Sequence, residues 1–200
     1  MLSPYIIGRA GVFIDEANLF HSQRTLGWRI DYEKLYWMLS ELNLFNRNIF
    51  IYTSFLETSE KEKLFVNKLI KYGYFVYDKE VKEIKGRDGN IIRKGNLDIE
   101  LALDAFQYSY MYDTLILFSG DSDFAYLIDL LKEVNKKIIV ISTRGNISKE
   151  LMSRTHSYVD LQKLRYLIER NPNHTHDNRP IGRSLRHYDN NLSKSNSNVK

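Results

Sequence analysis

Among its 200 residues the chain has no cysteine. That excludes disulfide staples and thiolate metal sites, and it is compatible with a reducing compartment. Nowhere do the roughly 18 consecutive apolar residues of a membrane helix occur. The first stretch, MLSPYIIGRAGVFIDEANLF, has no basic segment ahead of its apolar run and carries acids soon after it. Those are the wrong flanks for a signal peptide. No internal repeat is visible. Together these absences read as a cytoplasmic protein with no membrane segment.

What is present suffices for a core: 43% of residues are hydrophobic and 13% aromatic. Two hundred residues make one domain, here taken as residues 1–170, followed by a tail over residues 171–200. The tail holds five basic residues against two acidic ones, so +3 of the net charge of +4 sits there, with three of the five histidines. It is rich in Asn and Ser, poor in apolar residues and without helical or strand period, which predicts disorder. Such a segment is either a solvated tail or a weak basic arm for a polyanion.

Along the body, apolar patterns of two kinds alternate. AGVFID, NIFIYTSF, YFVYDKEVKEI, TLILFS and KKIIVIST read as strands, with SYVDL as a last edge strand. Between them, NLFHSQRTL reads as one or two helical turns broken at Gly27, and Asp31 caps a helix over YEKLYWMLSEL. Ser59 and Glu62 form a capping box ahead of a stripe of Leu64, Phe65, Leu69 and Tyr72. NLDIELALDAFQYSY is a helix capped by Asn96 or Asp98, FAYLIDLLKEV and ISKELMSRT are helices, and QKLRYLIER closes the chain as another. GRDGNIIRKG is a hairpin excursion. Alternating strands and helices predict an α/β domain with a mainly parallel sheet.

One stretch asks for explanation. In LILFSGDSDFAYLIDLL the apolar run stops at Ser119-Gly120, and Asp121 and Asp123 follow before helical spacing resumes. Ser122 or Asp123 serves as a helix cap on the plainest reading, but a cap needs one such residue. In an open parallel sheet, ligands bind beyond the carboxyl ends of the strands where strand order reverses. Asp15 closes the first strand, Asp121 and Asp123 follow the fourth, and Asp98 opens a helix on the same rim, with Asn18 three residues after Asp15. If the first and fourth strands are neighbours, four carboxylates and an amide converge. Like charges so placed need a cation. All-oxygen donors suit Mg²⁺ or Mn²⁺. Such a site activates water and offsets charge on a phosphate.

VFIDEANLF, KGNLDIELALDAF and LFSGDSDFAYLIDLLKEVNKKIIVIS, in that order, resemble the NYN domain of the LabA-like (DUF88) group among the PIN-like nucleases, over roughly residues 11–161. The resemblance implies a PIN-like three-layer α/β/α sandwich with strand order 3-2-1-4-5, a divalent-metal site and RNA cleavage. Carried across position by position, it implies that Asp15, Asp98, Asp121 and Asp123 hold metal and that Asn18 orients water or phosphate. Asp104 matches a recurrent acid. It lies about 9 Å and 240° around the helix from Asp98, which makes it a hydrogen-bonding support rather than a ligand, and Ser119 is a second such support. Glu16 departs from the pattern and is expected to face solvent. An aspartate-nucleophile phosphatase is disfavoured, because Asp15-Glu16-Ala17 lacks the second acid.

Arg93, Lys94 and Arg144 stand near the same rim and are candidates for RNA phosphate; exposed cations are also ordinary there. His21 is either a general acid or a surface histidine. Tyr108, Tyr110 and Tyr112 either stack on bases or pack under a loop, and Trp28, Tyr36 and Trp37 belong to the core or to a homo-oligomer contact. The expected activity is metal-dependent hydrolysis of RNA. A non-catalytic RNA- or protein-binding module is the alternative.

Overall fold

The computed structural model describes residues 2–56, 58–85 and 91–171. The proposed tail from residue 172 onward, the tip of the hairpin and the side chains of Arg93 and Lys94 lie outside the described residues.

Strand β1 (Ala10–Asp15) is central. On one side it pairs with β2 (Leu44–Phe55), which pairs with β3 (Phe75–Glu80). On the other side it pairs with β6 (Thr114–Phe118), followed by β7 (Lys137–Ser142) and β8 (Ser157–Asp160). Every pairing is parallel, in the order β3-β2-β1-β6-β7-β8. The hairpin β4 (Lys82–Lys85) and β5 (Ile91–Lys94) forms a separate antiparallel pair. Counted within the large sheet, the strand order is 3-2-1-4-5-6, which is the expected order extended by the SYVDL edge.

Strand side chains alternate between faces, and that alternation builds the layers. Val12, Ile14, Ile116, Phe118, Ile139 and Ile141 point to one core, with Leu35 and Leu39 of α2 (Tyr32–Ser40), Leu69 of α3 (Glu60–Tyr72) and Ile168 of α7 (Arg165–Ile168). Phe13, Leu115, Leu117, Ile138 and Val140 point to the other, with Leu101 and Ala105 of α4 (Asp98–Gln107), Ile128 and Leu131 of α5 (Ala125–Glu133) and Leu151 of α6 (Lys149–Arg154). β1 is buried on both faces, as a strand inside a three-layer parallel fold must be.

Four local expectations change. Helix α1 (Glu16–Leu26) runs eleven residues, because Asp15 itself caps it by accepting from the Asn18 N–H. β2 starts at Leu44, ahead of NIFIYTSF, and its register to β1 shifts where Asn46 and Arg47 take left-handed φ values of 48° and 56°. In α3 the buried residues are Val66 and Leu69, while Leu64 is 57% exposed. The closing helix is a 3₁₀ turn over Leu161–Leu164 followed by one α-turn.

Candidate metal centre

The chain runs outward from β1 to β3 and returns to lie beside β1 as β6. That reversal opens a crevice beyond the carboxyl ends of β1 and β6, and the conspicuous acids meet around it. Ser119 is the link. Its hydroxyl donates to Asp15 Oδ2 at 2.9 Å and accepts the Asp121 N–H at 3.2 Å. Asn18, in the first turn of α1, accepts the Gly120 N–H through Oδ1 at 3.1 Å. The β1 exit and the β6 exit are thereby tied together. Gly120 must be glycine here: a Cβ would lie 2.3 Å from the Asn146 carbonyl oxygen, and that backbone is held in turn by Ser148 N–H donating to Gly120 O at 2.8 Å.

Oxygens of Asp98, Asp121 and Asp123 lie within 4.8 Å of one another. Asp121 also caps the 3₁₀ turn Ser122–Phe124, accepting the Asp123 N–H at 3.0 Å. The capping residue is therefore Asp121, not Ser122 or Asp123. Asp98 opens α4, and its N–H reaches Asn96 Oδ1 at 2.6 Å while the Asn96 amide donates back to its carboxylate. The N-cap position itself is Leu97. Burial and then the charges of Asp121, Asp123 and Glu100 hold the Asp98 carboxyl above its ordinary range, against the lowering effect of Asn96.

Asp15 is not a member of that trio. It is 8% exposed, and each of its oxygens already accepts a hydrogen bond, from Asn18 N–H and from Ser119. Burial pushes its carboxyl up to about 6, with smaller upward contributions from Asp98 and Asp121. The donor set as a whole is three clustered carboxylates with a fourth, buried one behind them. Its mutual repulsion and all-oxygen chemistry fit a hard divalent cation.

Glu16 corrects an expectation. It does not face solvent: its carboxylate accepts from Tyr32 Oη at 2.9 Å and Thr53 Oγ1 at 3.2 Å, and burial raises its pKa. Because α1 begins right after Asp15, Glu16 turns back over the end of β2. Asp104 accepts from Tyr52 Oη at 2.8 Å and pins α4 to β2. Arg144 is exposed on the loop after β7, where its charge acts on Tyr158 of β8. Tyr112 is buried and donates to Ala105 O, and Trp28 is buried and donates to Gln162, while Tyr110 is 76% exposed.

An open cleft of about 1300 Å³ runs from Asp98 and Asp121 across the ends of β1 and β2. It is also lined by Arg24, Arg29, Lys61 and Arg170, and by Phe20 and His21, with the Arg24 guanidinium over the Phe20 ring at 5.5 Å. All four cations are exposed, and none is ion-paired to a described residue. Sequence reasoning missed them because they come from α1, the α1–α2 connection, α3 and the end of α7. No local charge run announces them.

A parallel sheet of this order, with carboxylates gathered at the exits of its two central strands, defines a PIN-like α/β/α protein. The chain belongs to the NYN domain family, whose pattern matches residues 9–162, and within it to the LabA-like group. It is 37% identical over 171 residues to the low amplitude and bright protein LabA of Synechococcus elongatus, covering 81% of this chain and 88% of that one. It also superposes with a TM-score of 0.65 on the crystal structure of a Vibrio parahaemolyticus protein of unknown function. That match covers 80% of this chain and 96% of that one at 24% identity, and it speaks to the fold. Among the described residues no helix is long and apolar enough to cross a membrane.

Proposed function

We propose that the protein is a divalent-metal-dependent ribonuclease. The observation that carries this is the Asp98, Asp121 and Asp123 trio at the crevice of a NYN domain. These three carboxylates would hold Mg²⁺ or Mn²⁺, with Asp15 behind them. When bound, the cation supplies an activated water and offsets charge on the scissile phosphate. The chain's own residues do the rest. Ser119 fixes the Asp15 carboxylate and the Asp121 backbone together, and Asn18 holds Gly120 so that the acid-bearing turn keeps its place. Asn18 thus acts through the backbone of that turn, with its amide nitrogen left for phosphate. The four cations of the cleft, none ion-paired to a described residue, receive the flanking phosphates of a single-stranded RNA. That adds Arg24, Arg29, Lys61 and Arg170 to Arg93, Lys94 and Arg144 as candidates for positioning the strand.

The test is incubation of the full chain with labelled single-stranded and structured RNAs in Mn²⁺, in Mg²⁺ and in chelator. Cleavage in either metal that chelator abolishes is the expected result. Intact RNA across the whole set, with metal demonstrably bound, overturns the nuclease reading in favour of a binding module.

The cleft assignment has its own check. Arg29→Glu combined with Lys61→Glu is expected to weaken single-stranded RNA binding at least about tenfold at low salt, and to flatten the salt dependence by about 0.7 per lost phosphate contact. Fluorescence anisotropy reads both. An unchanged slope would place the strand elsewhere, and Arg144→Glu would then be the variant that weakens it.

A further inference from the structure

Helix α4 carries a second surface that the acid site does not use. Ile99, Leu103, Phe106 and Tyr110 are exposed at 73, 63, 42 and 76%. Ile99, Leu103 and Phe106 recur at i, i+4 and i+7 on α4, which places them on one stripe, and Tyr110 stands in the 3₁₀ turn Tyr108–Met111 that continues it. The opposite stripe of the same helix, Leu101 and Ala105, is already in the core. The helix is thus apolar on two sides. Its charged residues are all engaged away from the outer stripe: Asp98 in the trio, Glu100 with Lys79 at 2.6 Å, and Asp104 with Tyr52. Each exposed residue from Ile99 to Tyr110 is uncharged.

We infer that this stripe is a self-association surface, with a second copy of the chain as its occupant. Size supports it. The four side chains offer roughly 500 Å² of apolar surface, the upper range of what a monomer ordinarily exposes, and patches of that size are often functional. Two such stripes facing each other bury on the order of 1,000 Å², the lower limit for a specific interface. Charge supports a like partner as well. A two-fold contact sets the same patch against itself, and an uncharged patch does so without repulsion. An antiparallel crossing between Leu103 and Phe106 also keeps the two acidic α4 starts at opposite ends, where a parallel one would bring six trio carboxylates near each other. It sets Ile99 of one copy against Tyr110 of the other, so the contact ends one residue from Asp98, at the edge of the acid site.

The lack of cysteine makes the test clean. Sedimentation velocity of the full chain from ~1 to ~100 µM is expected to show a monomer–dimer equilibrium in the micromolar range. Leu103→Glu, at an exposed position, should raise the dissociation constant at least about tenfold. Phe106→Cys should oxidise to a covalent dimer, whereas Met152→Cys, exposed on α6, should not. The covalent test stands even if Leu103→Glu perturbs the helix. A chain that stays monomeric at ~100 µM overturns the inference, including one whose α4 stripe is covered by its own residues 172–200. So does a dimer that Leu103→Glu leaves intact and Phe106→Cys fails to cross-link.

Discussion

Asp121→Asn is expected to leave the fold intact and to reduce metal-dependent RNA cleavage by at least about 100-fold. The substitution separates the cap that this side chain forms from the ligand role proposed for it. As a cap, Asp121 accepts the Asp123 N–H through a single oxygen. Asparagine caps as well as aspartate, so Oδ1 of the variant keeps that bond and stability should move by no more than ~0.5 kcal/mol. In the proposed metal site, Asp121 would supply one carboxylate of a trio whose oxygens lie within 4.8 Å. Replacing it leaves two carboxylates and a neutral amide, a poor donor set for a hard cation. Removing a single preorganised electrostatic partner at a reacting centre commonly costs 10²–10³ in rate. Cleavage assays beside thermal melts decide the matter. A variant that melts like the wild type yet cleaves like it would show Asp121 to be a cap and nothing more. A variant that unfolds would show capping to matter more than its geometry suggests. The same pair of measurements on Asp98→Asn tests the second proposed ligand, because Asp98 also sits at a helix start.

Much of the architecture was legible from periodicity, because strands buried on both faces leave continuous apolar runs such as TLILF and KIIVIS. What failed was what depends on the first residue of an element. Reading α1 from Asn18 instead of Glu16 put Glu16 in solvent, whereas the cap at Asp15 turns it onto Tyr32 and Thr53. In α3, Phe65, Leu69 and Tyr72 do pack on the core, and the one misplaced member of the stripe is Leu64, two residues and about 200° from the buried Val66. At the rim, the acids could be proposed from their position after strands, since strand ends project to one edge. That Asp15 lies behind the trio could not, because it rests on a hydroxyl 104 residues away. The cleft cations had no local signature at all.

Asp15→Asn is expected to stabilise the metal-free protein at neutral pH. The Asp15 carboxyl titrates at about 6 in the fold against 3.8 ordinarily, chiefly because burial penalises its charge. The folded state therefore binds the proton more tightly than the unfolded one, and stability falls as pH rises from about 4 through about 6. Above that window the charged form carries a penalty of about 3 kcal/mol, at 1.36 kcal/mol per pKa unit. Asparagine removes the charge and keeps the acceptor for Asn18 N–H. It places an amide N–H opposite Ser119, whose hydroxyl must reverse and lose its acceptor, at about 1 kcal/mol. The net gain is about 2 kcal/mol at pH 7.5, some 4–8 °C in melting temperature for a domain this size; it should vanish between about pH 4 and 5 and reverse below, where only the lost Ser119 hydrogen bond remains. Melts in chelator across that range measure it. A wild type more stable than the variant at pH 7.5 would mean that the hydrogen bonds of Asp15 outweigh its desolvation. With Mn²⁺ or Mg²⁺ present the order is expected to narrow or invert, because a bound cation stabilises the folded state by mass action and the wild type binds it better. A buried carboxylate that weakens the free fold and strengthens the loaded one is the signature of a residue kept for its ligand rather than for the fold.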